Sequence, residues 1–140
     1  AMAGAALRRA LKALTLLLST APVGQQHLID SGGLALLDRL VQSPQAPGMA
    51  ATAPQSLQDT ALRDDVQRHA LRILANLSTN PAAYPALTGR DTATPGARDW
   101  RPWIQTCACH GVDRKMRAYA ARALYNLDAF KAAGIEDEPT

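Results

Sequence analysis

Three segments of this chain are versions of one another. ALKALTLL at Ala10–Leu17, ALRILANL at Ala70–Leu77 and AARALYNL at Ala120–Leu127 begin 60 and then 50 residues apart. Ala10, Ala70 and Ala120 correspond, as do Leu14, Leu74 and Leu124, and then Leu17, Leu77 and Leu127. The spacing i, i+4, i+7 lines one helix face, so each copy predicts a helix that buries an Ala-Leu-Leu seam. Recurrence at such a period is the mark of a helical repeat, whose units bury their apolar faces only against one another.

Composition agrees. The 140 residues suit one domain, 1–140, and are too few for two independent cores. Hydrophobic residues make up 47% and charged residues 19%, which excludes a disordered or a membrane composition. Roughly a third of the chain is Ala or Leu and only 4% is aromatic, a bias toward helix and away from β-sandwich. The net charge of +3 is small, its cations are interleaved with acids, and stacking aromatics are few, which argues against nucleic acid as the partner. No apolar run reaches the ~20 residues of a transmembrane helix. Arg8 and Arg9 before Leu11–Leu18 imitate a targeting peptide, yet Lys12 and Thr15 interrupt that run and its spacing repeats inside the chain. Ala1-Met2 reads as an expression scar, so the sequence is expected to be an excised piece of a longer protein.

Between the copies the sequence predicts shorter helices. Helices are expected at about 3–20, 22–31, 33–42, 64–79, 81–88, 100–109 and 113–131, with loops at 43–60 and 88–98. Asp30-Ser31-Gly32-Gly33 is a glycine corner between two of these helices. Asn80-Pro81 opens another, Asp99 is the expected N-cap of the helix that holds Trp100 and Pro102, and Asp113 caps the last.

A short helix, a glycine corner, a medium helix and a long helix ending in ALxxLxNL resembles the armadillo repeat. The residues that carry the likeness are Gln26–Leu34, Asp65–Leu77 and Arg122–Leu127. HEAT repeats share the Ala-Leu seam but less often the glycine corner and the Asn. The resemblance implies an all-α, right-handed solenoid of about two full repeats plus a leading third helix. It implies a non-enzymatic protein-interaction module, a scaffold with an extended peptide along its third-helix groove and no cofactor or metal. Cys107 and Cys109 stand one residue apart and form no disulfide framework, so a reducing, intracellular location is expected, cytoplasmic or nuclear, with mitochondrial as an alternative. The first copy departs from the pattern with Leu16 where Asn is expected, and the second has the Arg90–Arg98 loop in place of its corner. A fainter likeness is to the helical region ahead of the hydrolase domain in certain mitochondrial phospholipid-remodelling proteins.

The residues give an independent view of that groove. Four before Leu16, Asn76 and Asn126 stand Lys12, Arg72 and Arg122; seven before stand Arg9, His69 and Tyr119. These positions share a helix face beside the buried seam, and a cation recurs in each copy. One reading is a groove for an extended, acidic peptide, with Asn76 and Asn126 bonding its backbone and Lys12, Arg72 and Arg122 meeting its carboxylates or phosphates. The other is a solvated face whose Asn side chains tie neighbouring repeats together. A third alternative is self-association, or packing against further repeats of a larger protein with a separate catalytic domain, through the Ala10–Leu17 and Ala120–Leu127 seams.

Catalytic motifs are missing. There is no nucleophile elbow, phosphate-binding P-loop or His-Glu-x-x-His pattern. Cys107-x-Cys109-His110 lacks a second ligand pair for zinc and reads as filler near a helix end. Trp100 and Trp103 are expected to pack against the preceding repeat, with an exposed anchor as the alternative. The acidic tail Glu136-Asp137-Glu138 reads as solvated, with docking on a basic groove as the alternative.

Overall fold

The computed structural model of the chain describes residues 2–42 and 57–134, with side chains given for 5–16, 19–42 and 61–134. The elements are α1 (Met2–Ala13) continuing into a π-helical turn (Leu14–Leu18), α2 (Pro22–Asp30), α3 (Gly33–Gln42), α4 (Leu57–Leu77), a 3₁₀ turn (Pro81–Ala83) leading into α5 (Tyr84–Thr88), α6 (Arg101–His110) and α7 (Arg114–Ala132). Among the described residues there is no strand beyond an isolated bridge between Thr88 and Asp99.

Local chemistry sets the ends of these helices. Pro22 occupies the first turn of α2, where a missing N–H costs nothing. Gly32 takes φ +86° to turn the chain from α2 into α3. The Asn80 side chain accepts the Ala82 N–H, and the Asp113 carboxylate accepts the Met116 N–H at 2.8 Å. Asp99 lies one residue before the N-cap position and accepts the Arg101 N–H at 3.1 Å.

The long helix α4 is the centre of the fold. It packs against α1 on one flank and α7 on the other, while α3 leans on α4 and α6 lies along α7. Val66, Ala70, Leu71, Ile73, Leu74, Ala75 and Leu77 are all buried, so α4 contributes apolar surface almost all the way round. Trp100 is the largest fully buried side chain, and its ring meets the half-buried Trp103 edge-on at 6.0 Å. Tyr84 of α5 meets Phe130 of α7 in the same way.

The structure corrects several sequence expectations. The first helix does not run evenly to 20. Thr15 and Ser19 hydroxyls both donate to the carbonyl four residues back, Leu11 and Thr15, and the backbone there widens into the π turn. The helix expected from 64 begins at Leu57, and the rest of the expected 43–60 loop lies outside the described residues, as does the acidic tail. The 81–88 helix divides into its 3₁₀ and α parts at Tyr84-Pro85. The seam is completely buried only in α4. Ala10 is exposed and Leu14 half-buried, and Leu17 lies outside the described side chains.

The 88–98 segment is not a free polar loop. Arg98 N–H donates to Ala86 O and Trp100 N–H to Leu87 O, at 3.1 and 2.9 Å. The Arg98 guanidinium pairs with Asp38 of α3 at 3.0 Å and lies 3.9 Å from the Trp100 ring centroid. The segment thus fastens the second unit to the first.

Candidate functional site

α1, α4 and α7 lie side by side, and the repeated residues fall on the face they share. Arg9, Lys12 and Arg122 are exposed, while His69, Arg72, Asn76, Tyr119 and Asn126 are half-buried. Arg122 lies 5.8 Å from the Tyr119 ring centroid and donates to Asn76 Oδ1 at 3.1 Å, reaching from α7 onto α4. Lys12, on α1, is close enough to His69 of α4 to disfavour its protonation. The structure therefore brings Lys12, His69, Arg72, Asn76, Tyr119 and Arg122 onto one surface spanning three helices. Among the described residues no ion pair joins Arg9, Lys12, Arg72 or Arg122 to a carboxylate.

Both asparagines are engaged between helices. Asn76 Nδ2 donates to Ser19 Oγ, and Asn126 Nδ2 donates to Ser78 Oγ, each at 3.0 Å. The Asn of one unit thus holds a Ser at the end of the preceding long helix. Ser19 stands 59 residues before Ser78 (78 − 19), one fewer than the 60-residue offset of the copies, and the π turn takes up the extra residue. Gln25 completes the junction. Its buried amide donates to Ser19 O at 3.0 Å and Asn76 O at 3.1 Å, and accepts from Asn80 Nδ2.

The opposite end of the row is tied by charge. Arg8 of α1 pairs with Asp65 of α4 at 2.8 Å, Asp65 with Arg68, and Arg68 with Asp113, the cap of α7. The Arg68 guanidinium holds the Asp113 carboxyl below the usual range, and Asp113 in turn raises Arg68. Such part-exposed pairs contribute on the order of 0–1 kcal/mol each, so their main effect is on helix register. Neither Ser19 and Ser78 nor this ion network was read from the sequence. The signal was weak, since Asn-Leu-Ser at 76–78 becomes Asn-Leu-Asp at 126–128 and the π turn shifts Ser19 out of alignment.

His69 is held below its ordinary pKa, chiefly by desolvation and then by Arg72, Arg68 and Lys12, with Asp65 opposing. The unfolded chain binds this proton near pH 6.5 and the fold resists it, so stability falls as pH drops below about 6.5. The expected result is a urea midpoint lower at pH 5.5 than at pH 7.5 for the native sequence, with a smaller difference for His69→Gln. Equal differences in both proteins would remove His69 as the cause.

The remaining candidates offer little chemistry. Burial pushes the Cys107 thiol up to about 11, which keeps it protonated and a poor nucleophile at neutral pH. Cys109 is exposed and accepts from the Gln105 amide at 3.4 Å. Among the described residues no three His, Cys, Asp or Glu side chains are grouped to hold a metal ion, and no helix is long and apolar enough to cross a membrane. Compared with protein-family models, curated proteins and solved structures, the chain matches none of them.

Proposed function

We propose that the chain is a segment of an armadillo-type, right-handed α-solenoid, and that it acts as a non-enzymatic interaction module for an extended, acidic peptide. The observation that carries this reading is the set of cations Lys12, Arg72 and Arg122, contributed one each by three adjacent helices and unpaired with acids among the described residues. A peptide crossing the row would meet one cation per helix, with Arg9 at the α1 edge and the Tyr119 ring as contact area. The order α1, α4, α7, with the shorter helices behind, supports stacking of like units.

The Asn side chains have a narrower role than backbone clamps for the peptide. Their bonds to Ser19 and Ser78 set the spacing of the helices, and Asn76 holds Arg122 toward the face. Fluorescence anisotropy with an acidic peptide tests the reading. The Arg72→Glu, Arg122→Glu double variant is expected to bind at least about 10-fold more weakly, and binding by the native sequence to weaken as salt rises. Unchanged affinity in a folded double variant would remove the proposal.

A further inference from the structure

Two contacts between α1 and α4 place the side chains that lie between them. Arg8 pairs with Asp65 at 2.8 Å, and Asn76 donates to Ser19 at 3.0 Å. Both pairs are 57 residues apart (65 − 8 and 76 − 19), so the two helices run in the same direction at one register. Lys12, a turn beyond Arg8, therefore lies beside His69, a turn beyond Asp65, and Arg72 follows on the same face of α4. Either end of this stretch is already satisfied. Asp65 is held by Arg8 and Arg68, and the Asn76 side chain by Ser19 and Arg122. Between them Lys12, His69 and Arg72 stand together, and among the described residues none of the three has a carboxylate partner. Arg122, farther along the row, differs, because Asn76 Oδ1 and the Tyr119 ring already engage its guanidinium. Ala120, Ala123 and Leu127 of the α7 seam, expected from the sequence to serve self-association, are buried inside the fold.

We propose that Lys12, His69 and Arg72 form a subsite for the phosphoryl group of a phosphorylated serine or threonine in the bound peptide; the inference rests on the peptide-groove reading above and names the residue that the groove selects. A phosphoserine carries about −1.5 to −2 charge at neutral pH and three acceptor oxygens, which matches one ammonium, one guanidinium and one imidazole donor. A carboxylate brings a single charge and two oxygens to the same three groups, so it offsets less of their field. The imidazole widens the difference. His69 is half-buried and held below its ordinary pKa by desolvation first, then by Arg72 and Arg68 of its own helix and Lys12 of α1, with Asp65 opposing. On the α7 side, Asp113 is engaged by Arg68. The empty groove thus keeps His69 neutral at neutral pH. A dianion set between Lys12 and Arg72 cancels their field and lets the ring take up a proton, so the bound phosphoryl group meets three cations and binding draws a proton from solution.

Fluorescence anisotropy with three forms of one acidic peptide, bearing serine, glutamate or phosphoserine at its centre, tests the inference. The native chain is expected to bind the phosphoserine form at least about 10-fold more tightly than the glutamate form. Lys12→Gln combined with Arg72→Gln is expected to bring those two forms within about 2-fold of each other. Arg122→Gln is expected to weaken both and keep their ratio. Affinity for the phosphoserine form is expected to rise about 2-fold or more from pH 8 to pH 7 in the native chain, and to stay flat in His69→Gln. That window lies above the second pKa of the phosphate, near 6, so the ligand keeps its charge. Circular dichroism melts confirm folding, and each ratio is read within one variant, so a general loss of stability does not imitate it. A phosphoserine form bound no more tightly than the glutamate form, with both bound, overturns the inference and leaves the acidic-peptide reading standing. Binding of none of the three forms overturns both. Vesicles containing phosphatidylinositol 4-phosphate bound more tightly than the phosphopeptide would put a membrane in place of the peptide and also overturn it.

Discussion

Replacing Gly96 by Ala is expected to destabilise the fold by about 2–5 kcal/mol. Gly96 adopts φ +82°, where a Cβ meets the backbone at a cost of about 1–2 kcal/mol. A Cβ built there would also lie 2.1 Å from Ala35 N and 2.3 Å from Leu34 C, at the start of α3. Backbone at a helix start cannot swing aside as a side chain can, so the 89–99 segment would have to lift. Lifting it strains the Arg98–Asp38 pair and the bond from the Trp100 indole N–H to Gly96 O, 3.0 and 3.3 Å respectively. Gly32 is the control. Its φ of +86° carries the same backbone penalty, but nothing lies within 4 Å of where an alanine methyl would sit, so Gly32→Ala is expected to cost only about 1–2 kcal/mol. Urea unfolding of both variants reads the difference. Equal losses would mean that the segment is not seated on α3.

Trp100→Ala is expected to cost about 3–5 kcal/mol, the usual range for emptying a fully buried aromatic site. The ring is 0% exposed, packs edge-on to Trp103, and lies under the Arg98 guanidinium. Removing it leaves a cavity between the 89–99 segment and α6, unpairs the Arg98 face contact and frees Gly96 O. Trp100→Phe keeps most of the apolar area and loses the N–H, so a markedly smaller loss is expected. Guanidinium unfolding followed by far-UV circular dichroism separates the two. A loss below about 1 kcal/mol for Trp100→Ala would contradict the packing role.

The sequence made the periodic parts of the fold legible. Ala70, Leu74 and Leu77 were legible because α4, packed on two flanks, buries all three. Gly32, Asn80 and Asp113 were legible because their chemistry acts within a few residues. Long-range features were not. The docking of Gly96 on Ala35 joins residues 61 apart (96 − 35), and a Pro-Gly pair in a polar stretch looks the same whether docked or free. The π turn was hidden because Thr15 and Ser19 redirect the helix through hydroxyl bonds that leave the apolar spacing intact. Of the candidate site, the recurrence of Lys12, Arg72 and Arg122 could be counted from the sequence. The partners of Asn76 and Asn126 could not, since an amide on a helix face is equally able to bond a peptide or a neighbouring serine.

An NMR titration of the isotope-labelled chain with an extended acidic peptide tests the peptide-groove reading most directly. Shift changes are expected to centre on Lys12, His69, Arg72, Tyr119 and Arg122, on all three long helices together, and to fade as salt is raised. The His69 ring is also expected to take up its proton more readily with the peptide bound, because the added carboxylates oppose Arg72 and Lys12. Shifts confined to α2, α3 and α6, or none at peptide concentrations up to about 1 mM, would contradict it.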